Sequence, residues 1–83
     1  GLIQNNLSGI YIYPNPSWGI FKIDGLQKLD GFEYMRLTDN KGSLIKLIAT
    51  KQKEIDLSNL STGIYFLEIR HANGSGRIKL IKQ

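Results

Sequence analysis

The chain has 83 residues, no cysteine and a formal net charge of +4. This length allows one small domain, and the absence of cysteine excludes disulfide crosslinks and thiolate chemistry. No apolar run approaches the roughly 20 residues that span a membrane. No signal peptide opens the chain either, so if the protein is exported, its export signal is expected in upstream sequence.

The charge is unevenly distributed along the chain. Residues 1–40 carry three Lys or Arg against four Asp or Glu, a net charge of −1, whereas residues 41–83 carry eight against three, a net charge of +5. The last seven residues, RIKLIKQ, contain Arg77, Lys79 and Lys82 and no acid. Such a basic end suits an anionic partner, but a solvated edge strand, whose lysines discourage unwanted pairing, is the favoured interpretation of this segment taken alone.

The hydrophobic pattern is that of an all-β protein. Short runs rich in Ile, Leu, Tyr and Phe are separated by Gly, Asn, Asp, Ser and Pro, and no run combines helical spacing with helix caps. About seven short strands in a chain of this length predict an antiparallel β-sandwich or a small barrel. The predicted strands cover residues 9–14, 19–24, 32–38, 43–50, 53–57, 63–71 and 76–82.

The first predicted strand ends within the stretch YIYPNPSWGIF, residues 11–21. Pro14 and Pro16 lack the N–H that a sheet ladder needs, and each holds the preceding residue in an extended conformation. Gly19 then allows a turn into the apolar strand that contains Phe21. We predict a stiff connector that carries the chain from one sheet to the other.

Three later segments have turn chemistry. The stretches TDNKGS, residues 38–43, and HANGSG, residues 71–76, place Asp, Asn and Gly between apolar runs and predict hairpin loops. The stretch DLSNLSTG, residues 56–63, predicts a tight turn that brings its two leucines against the core. Asp56 is predicted to cap that turn.

Alternation within the strands assigns one face of each strand to the core. Lys22, for example, separates Phe21 from Ile23 and places these two residues on the opposite face. The predicted core residues are Phe21, Ile23, Met35, Leu37, Leu57, Leu60, Tyr65, Leu67, Ile69, Ile78 and Leu80.

The residues that carry catalysis and metal binding are sparse. His71 is the only histidine, it stands at a predicted strand end, and the carboxylates are scattered over loops and strand ends. The GSG at residues 74–76 lacks the strand and helix context of a phosphate loop. We predict no enzymatic activity, no catalytic residue, no cofactor and no metal site.

Four segments together resemble one family, the C-terminal sorting domain (type A) of proteins secreted by the type IX secretion system, also called the Por secretion system. They are YPNP with the following glycine and phenylalanine, LTDNKGSLI, IDLSNLSTGIYFLEI and the terminal GRIKLIKQ. They occur in the order of the family and cover residues 8–83, which leaves residues 1–7 as a linker from a preceding passenger domain. The motif residues are Pro14, Asn15, Pro16, Gly19, Phe21, Asp39, Gly42, Asp56, Leu57, Leu60, Gly63 and Tyr65.

The resemblance implies an immunoglobulin-like antiparallel β-sandwich attached to an N-terminal passenger. It also implies transit through the periplasm, recognition and transport across the outer membrane by the type IX translocon, and removal by a surface sortase that leaves the passenger on the cell surface or secreted. Recognition would lie mainly in the last strand, with residues 56–69 in support. The recognition residues are Gly76, Arg77, Ile78, Lys79, Leu80, Ile81, Lys82 and Gln83.

The physical character of the last strand agrees with this role. An edge strand offers main-chain hydrogen bonds to a receptor sheet, and its positive charge steers it toward an acidic groove.

An alternative function is that of a small immunoglobulin-like carbohydrate-binding or adhesion module that uses Trp18 and the tyrosines. Such a module should expose a row of aromatic side chains, whereas a sorting domain should bury most of them. Nucleic-acid binding is disfavoured because the basic residues are not interleaved with aromatic ones, and direct membrane insertion is not expected.

Overall fold

The computed structural model describes residue 7 and residues 9–83. None of the helices in this part of the chain has the length and apolarity needed to cross a membrane. Seven strands are present, and a 3₁₀ helix at Leu26–Lys28 that the sequence pattern did not indicate lies between the second and third. The strands are β1 (Tyr11–Tyr13), β2 (Ile20–Asp24), β3 (Phe32–Asp39), β4 (Leu44–Ile48), β5 (Glu54–Asp56), β6 (Gly63–His71) and β7 (Gly74–Lys82).

The strands form two antiparallel sheets. One sheet has the order β1-β2-β5 and the other the order β4-β3-β6-β7. The predicted immunoglobulin-like β-sandwich of about seven strands is therefore confirmed as an all-β, two-sheet fold. In immunoglobulin constant domains the fourth strand belongs to the sheet of the first, second and fifth strands, whereas here β4 pairs with β3.

All seven predicted strands are present, with ends that differ by a few residues. The largest extension is at β7, which begins at Gly74 because Gly74 pairs with His71 and leaves only Ala72 and Asn73 as the hairpin loop. The β3–β4 hairpin is also confirmed. The Asp39 carboxylate accepts hydrogen bonds from the N–H groups of Lys41 and Ser43, each at 2.9 Å.

The prediction that residues 14–19 carry the chain between the two sheets is wrong. Tyr13 at the end of β1 pairs with Lys22 in β2, so the loop between them returns the chain to the same sheet. The two strands pair within one sheet because their apolar residues match. Ile12 in β1 lies opposite Ile23 in β2, and both side chains face the core. The loop contacts the other sheet through hydrogen bonds instead.

The core lies between the sheets and confirms most of the predicted set. Leu60 and Ile78 are the exceptions, because both are only partly buried at its margin. The sequence pattern did not indicate Leu7, Ile10, Leu26, Ile48 and Ile55, which complete the core. The predicted linker lies outside the described residues except for Leu7, whose side chain is buried in the core.

Leu67 is the residue on which the packing can be tested most directly. It is fully buried, so Leu67→Ala should lower the free energy of unfolding by about 2–5 kcal/mol, out of an expected total of about 4–12 kcal/mol. Leu47→Ala is the matched control, because Leu47 is 59% exposed and its loss should cost less than about 0.5 kcal/mol. Urea unfolding followed by circular dichroism measures both, and equal effects would contradict this core.

Candidate functional site

The four motif segments lie at the same end of the sandwich, which we call the motif end. Asp39 pairs with Tyr65 and Tyr65 pairs with Leu80, so the end of β3, the start of β6 and the end of β7 are neighbours. In the other sheet, the start of β2 lies beside the end of β5. Residues that are distant in sequence therefore form one continuous surface, and the terminal segment, residues 76–83, runs into it.

The loop of residues 14–17, which we call the PNPS loop, is hydrogen-bonded to the outer edge of β7. The Asn15 amide donates to the carbonyl of Lys79 at 2.7 Å, and the N–H of Ile81 donates to Oδ1 of Asn15 at 2.9 Å. A single side chain thus occupies an acceptor and a donor of the edge strand. Both prolines follow cis peptide bonds, Tyr13–Pro14 and Asn15–Pro16.

Ser17 extends this attachment with its backbone. Its N–H donates to the carbonyl of Ile81 at 3.0 Å, and the N–H of Gln83 donates to the carbonyl of Ser17 at 2.8 Å. Its hydroxyl donates to the carbonyl of Ile20 at 2.6 Å and accepts from the N–H of Gly19 at 3.1 Å. Buried Ser17 therefore joins the three-stranded sheet to β7, and the edge of β7 is closed from the carbonyl of Lys79 to the N–H of Gln83.

The sequence pattern did not single out Ser17. The signal that could have indicated it is a serine directly after a Pro-Asn-Pro stretch, because serine hydroxyls often hydrogen-bond the backbone of loops. Its burial depends on the arrangement of the two sheets, which local sequence does not encode.

Gly19 is required by a close approach of the segment that follows β5. The N–H of Leu57 donates to the carbonyl of Gly19 at 2.7 Å. A Cβ atom at position 19 would lie 2.6 Å from the hydroxyl oxygen of Ser58 and 3.2 Å from its Cα. Any larger residue would push these two segments apart, which explains why the motif has glycine here.

The predicted cap at Asp56 is confirmed. Its carboxylate accepts a hydrogen bond from the N–H of Ser58 at 2.8 Å. Hydrogen bonds from the side chain and the backbone of Ser58 lower the pKa of Asp56, because they stabilise the ionised form. The turn continues with a hydrogen bond from the N–H of Leu60 to the carbonyl of Leu57 at 2.9 Å, and Tyr65 encloses it by donating to the carbonyl of Ser61 at 2.6 Å.

The side chains of the terminal segment divide between two faces. Gly76 and Leu80 are buried, and Ile78 on the same side is partly buried. Arg77 and Lys79 are exposed on the outer face, where the Arg77 guanidinium lies 4.4 Å from the centre of the Phe66 ring. The segment thus combines a packing face with a basic face.

The basic residues of the terminal segment are not all on one face. Lys82 has the parity of Leu80 and is partly buried at the end of the sheet, where it pairs with Gly63. The exposed basic face of β7 therefore consists of Arg77 and Lys79.

The described residues contain no group of three or more His, Asp or Glu side chains that could hold a metal ion. His71 is buried, its Nδ1 accepts a 3.4 Å hydrogen bond from the N–H of Asn73, and its Nε2 has no partner among the described residues. A groove of about 360 Å³ lies between β4 and β5 and contains no histidine.

The aromatic side chains are more exposed than expected for a sorting domain. Only Phe21 and Tyr65 are buried among the eight aromatic residues. Tyr11, Tyr13 and Trp18 are 64%, 50% and 78% exposed. The expectation that most aromatic side chains are buried is therefore wrong, because the β1 tyrosines point away from the core and Trp18 lies in a loop.

A comparison with known families identifies a family that covers most of the chain. The family described as "Secretion system C-terminal sorting domain" matches residues 11–83. No curated protein matches the chain. The matched range contains every motif segment at the motif end, including the PNPS loop and the terminal segment.

Asn15 provides a test of the attachment between the PNPS loop and β7. Asn15→Ala removes two hydrogen bonds at about 0.5–1.5 kcal/mol each and should lower the free energy of unfolding by about 1–3 kcal/mol. The Ile81 amide should also exchange its hydrogen faster, whereas the amides that pair β6 with β7 should change less. Asn40→Ala, at an exposed loop position, is the control. Unchanged exchange at Ile81 would contradict the attachment.

Proposed function

Because the chain belongs to the family of secretion system C-terminal sorting domains, we propose that its motif end and terminal segment direct a passenger through the type IX translocon across the outer membrane. The chain is a type IX secretion C-terminal sorting signal, which implies a passenger protein, a secretion machinery and export toward the cell surface or the surroundings. The family is a class of sorting signals and not a known class of enzymes.

The finer steps of the proposal follow the route of the passenger. The passenger is covalently attached on the N-terminal side of the domain and passes through the periplasm. The translocon binds the domain there through the terminal segment, residues 76–83, supported by residues 56–69. A surface sortase then removes the domain, and the passenger stays on the cell surface or is released.

One observation carries this proposal: the matched motif segments form a continuous surface around the end of β7. The PNPS loop contacts β7 through Asn15 and Ser17, and the segment after β5 contacts Gly19, two residues beyond this loop. A partner that binds there would contact several motif segments together. Exposed Arg77 and Lys79 add positive charge next to this surface, which favours capture by an acidic partner.

The proposal predicts that residues 76–83 are needed for export. We expect a fusion of residues 8–83 to a folded periplasmic reporter to reach the surface in a host with the type IX system. Removal of residues 76–83 should leave the reporter in the periplasm, as measured by surface labelling and cell fractionation. Surface delivery of the truncated fusion at the intact level would contradict the proposal.

A charge variant separates recognition from folding, because removal of β7 also removes core residues. Changing Arg77, Lys79 and Lys82 to Gln should retain most of the stability and should reduce delivery. Arg77 and Lys79 are exposed and Lys82 is partly buried at the end of the sheet, and surface charges contribute about 0–1 kcal/mol each. The matched control changes Lys22, Lys28 and Lys53 to Gln, because these three lysines are exposed and lie outside the motif segments. This control also removes three positive charges, but at positions outside β7, and it should leave delivery intact.

A second candidate function, carbohydrate binding, is favoured by the exposed aromatic side chains. A groove of about 500 Å³ is lined in part by Pro14, Pro16, Trp18 and Ile20. Tyr11 and Tyr13 lie nearby in sequence, on the outer face of the three-stranded sheet β1-β2-β5. Trp and Tyr combine a large apolar ring with a polar group, which suits the faces and hydroxyls of sugars.

This second function can be tested by native electrophoresis of the chain through gels that contain soluble β-glucan or xylan. If the chain binds these polysaccharides, its migration should be slowed, and Trp18→Ala with Tyr13→Ala should restore it. Arg77→Gln is the control variant, and polysaccharide should slow it as much as it slows the unchanged chain, each measured against its own migration in a gel without polysaccharide. Equal migration in gels with and without polysaccharide would contradict binding of these two polysaccharides.

A further inference from the structure

The part of β7 that precedes Lys79 has an edge that no other described residue pairs with, which we call the open edge. The hydrogen bonds of Lys79 and Ile81 with the PNPS loop show that these residues direct backbone groups away from β6. Because neighbouring residues of a strand direct their N–H and C=O groups to opposite sides, Arg77 and Ser75 direct theirs away from β6 as well. No described strand pairs with this side of β7, and the single bridge on it among the described residues joins Lys82 to Ser17.

The charges beside this open edge have no acidic partner within the described chain. Arg36 pairs with Glu68 at 3.3 Å, and Arg70 pairs with Glu33 at 3.6 Å. Glu68 lies opposite Arg77 in the register of β6 and β7, but its carboxylate contacts Arg36. Arg77 and Lys79 are thus the outer-face cations of β7 that remain without a carboxylate.

The same charges disfavour pairing between two copies of the chain. An antiparallel pair of β7 strands centred on Arg77 would place two arginines opposite each other and Lys79 opposite Ser75. Like charges directly opposite in a sheet are destabilising, and lysine on an edge strand discourages association. The open edge therefore favours an incoming strand with carboxylates opposite Arg77 and Lys79.

The inner side of the edge adds a second requirement. Ile78 is partly buried at the margin of the core, and its side chain lies on the opposite face from Arg77 and Lys79. An incoming strand would place every second side chain on that face. An apolar residue there would cover the remaining exposed part of Ile78.

We infer that residues 75–79 of β7 form a strand-addition site for an extended segment that alternates carboxylate and apolar side chains. The backbone groups of Ser75 and Arg77 and the N–H of Lys79 hydrogen-bond the incoming strand, while its carboxylates pair with Arg77 and Lys79. The PNPS loop limits the added strand to the part of the edge that precedes Ile81. This inference rests on the proposed function in taking the partner to belong to the secretion machinery.

Nuclear magnetic resonance can test the site with two synthetic peptides. One is an octapeptide that alternates glutamate and valine, and the other alternates lysine and valine. Titration of the isotope-labelled 83-residue chain with the glutamate peptide should shift the amides of Ser75, Arg77 and Lys79 more than that of Ile81. The lysine peptide should cause no such shifts, and added salt should weaken the binding of the glutamate peptide.

Charge reversal provides the main variant. Arg77→Glu with Lys79→Glu should abolish binding of the glutamate peptide and produce binding of the lysine peptide. The matched control, Lys28→Glu with Lys41→Glu, should leave the preference unchanged. Shifts confined to another surface, equal binding of both peptides, or a preference that charge reversal leaves unchanged would overturn the inference. Self-association through β7, detected by sedimentation, would also overturn it.

A backbone variant tests the hydrogen bonds separately from the charge. Arg77→Gln removes the positive charge and keeps the backbone N–H of residue 77. Arg77→Pro removes the charge and this N–H. Because the N–H points away from β6, neither variant removes a hydrogen bond between β6 and β7. Arg77→Pro should bind the glutamate peptide about two- to tenfold more weakly than Arg77→Gln, as expected for one lost hydrogen bond. Equal affinities of the two variants, when both give native spectra, would overturn the main-chain part of the inference.

The export assay distinguishes failure of this site from failure of the proposed function. If the peptides do not bind β7 but delivery still requires residues 76–83, the strand-addition site is wrong and the sorting function stands. If the glutamate peptide binds as expected but the truncated fusion reaches the surface, the sorting role of the terminal segment is wrong and the binding site stands.

Discussion

The contact between the PNPS loop and β7 is the interaction on which the rest of this structure depends. Ser17 hydrogen-bonds its own sheet through the carbonyl of Ile20 and the other sheet through Ile81 and Gln83. On the opposite side of the sandwich, where β4 and β5 are the edges, a groove separates the sheets. Main-chain hydrogen bonds therefore join the two layers on one side, and side-chain packing holds them elsewhere.

The sequence pattern was sufficient to predict the positions of the strands, because each strand depends on local alternation and on the turn residues that bound it. Phe21, Leu67 and Ile69 are buried as their parity requires, and the Asp39 hairpin follows from its turn chemistry. Pattern was insufficient where the outcome depends on which strands become neighbours. The return of the chain into the same sheet after Pro14 and the burial of Ser17 both depend on strand order, which no single segment encodes.

The candidate site shows the same division. The resemblance to the sorting family placed the important residues in four segments, and the structure shows that these segments meet at one end of the sandwich. The sequence also indicated the basic character of the last strand. It did not indicate that Asn15 and Ser17 cover part of the edge of that strand, because side-chain hydrogen bonds across such a sequence separation leave no local pattern. Likewise, the exposure of Tyr11 and Tyr13 depends on which face of β1 packs inward.

The hydrogen bonds of Asn15 also constrain the order in which the molecule is assembled. They join residues that are 64 and 66 positions apart, and closing a loop of this length costs about 4 kcal/mol of chain entropy beyond a constant. The chain before β7 cannot form this attachment, since the partners of the PNPS loop all lie in or beyond β7. During synthesis from the N-terminus, the main-chain junction between the two sheets therefore forms only after β7 has left the ribosome. Native folding thus depends on completion of the same strand that carries the terminal segment, and a prematurely terminated chain would have neither.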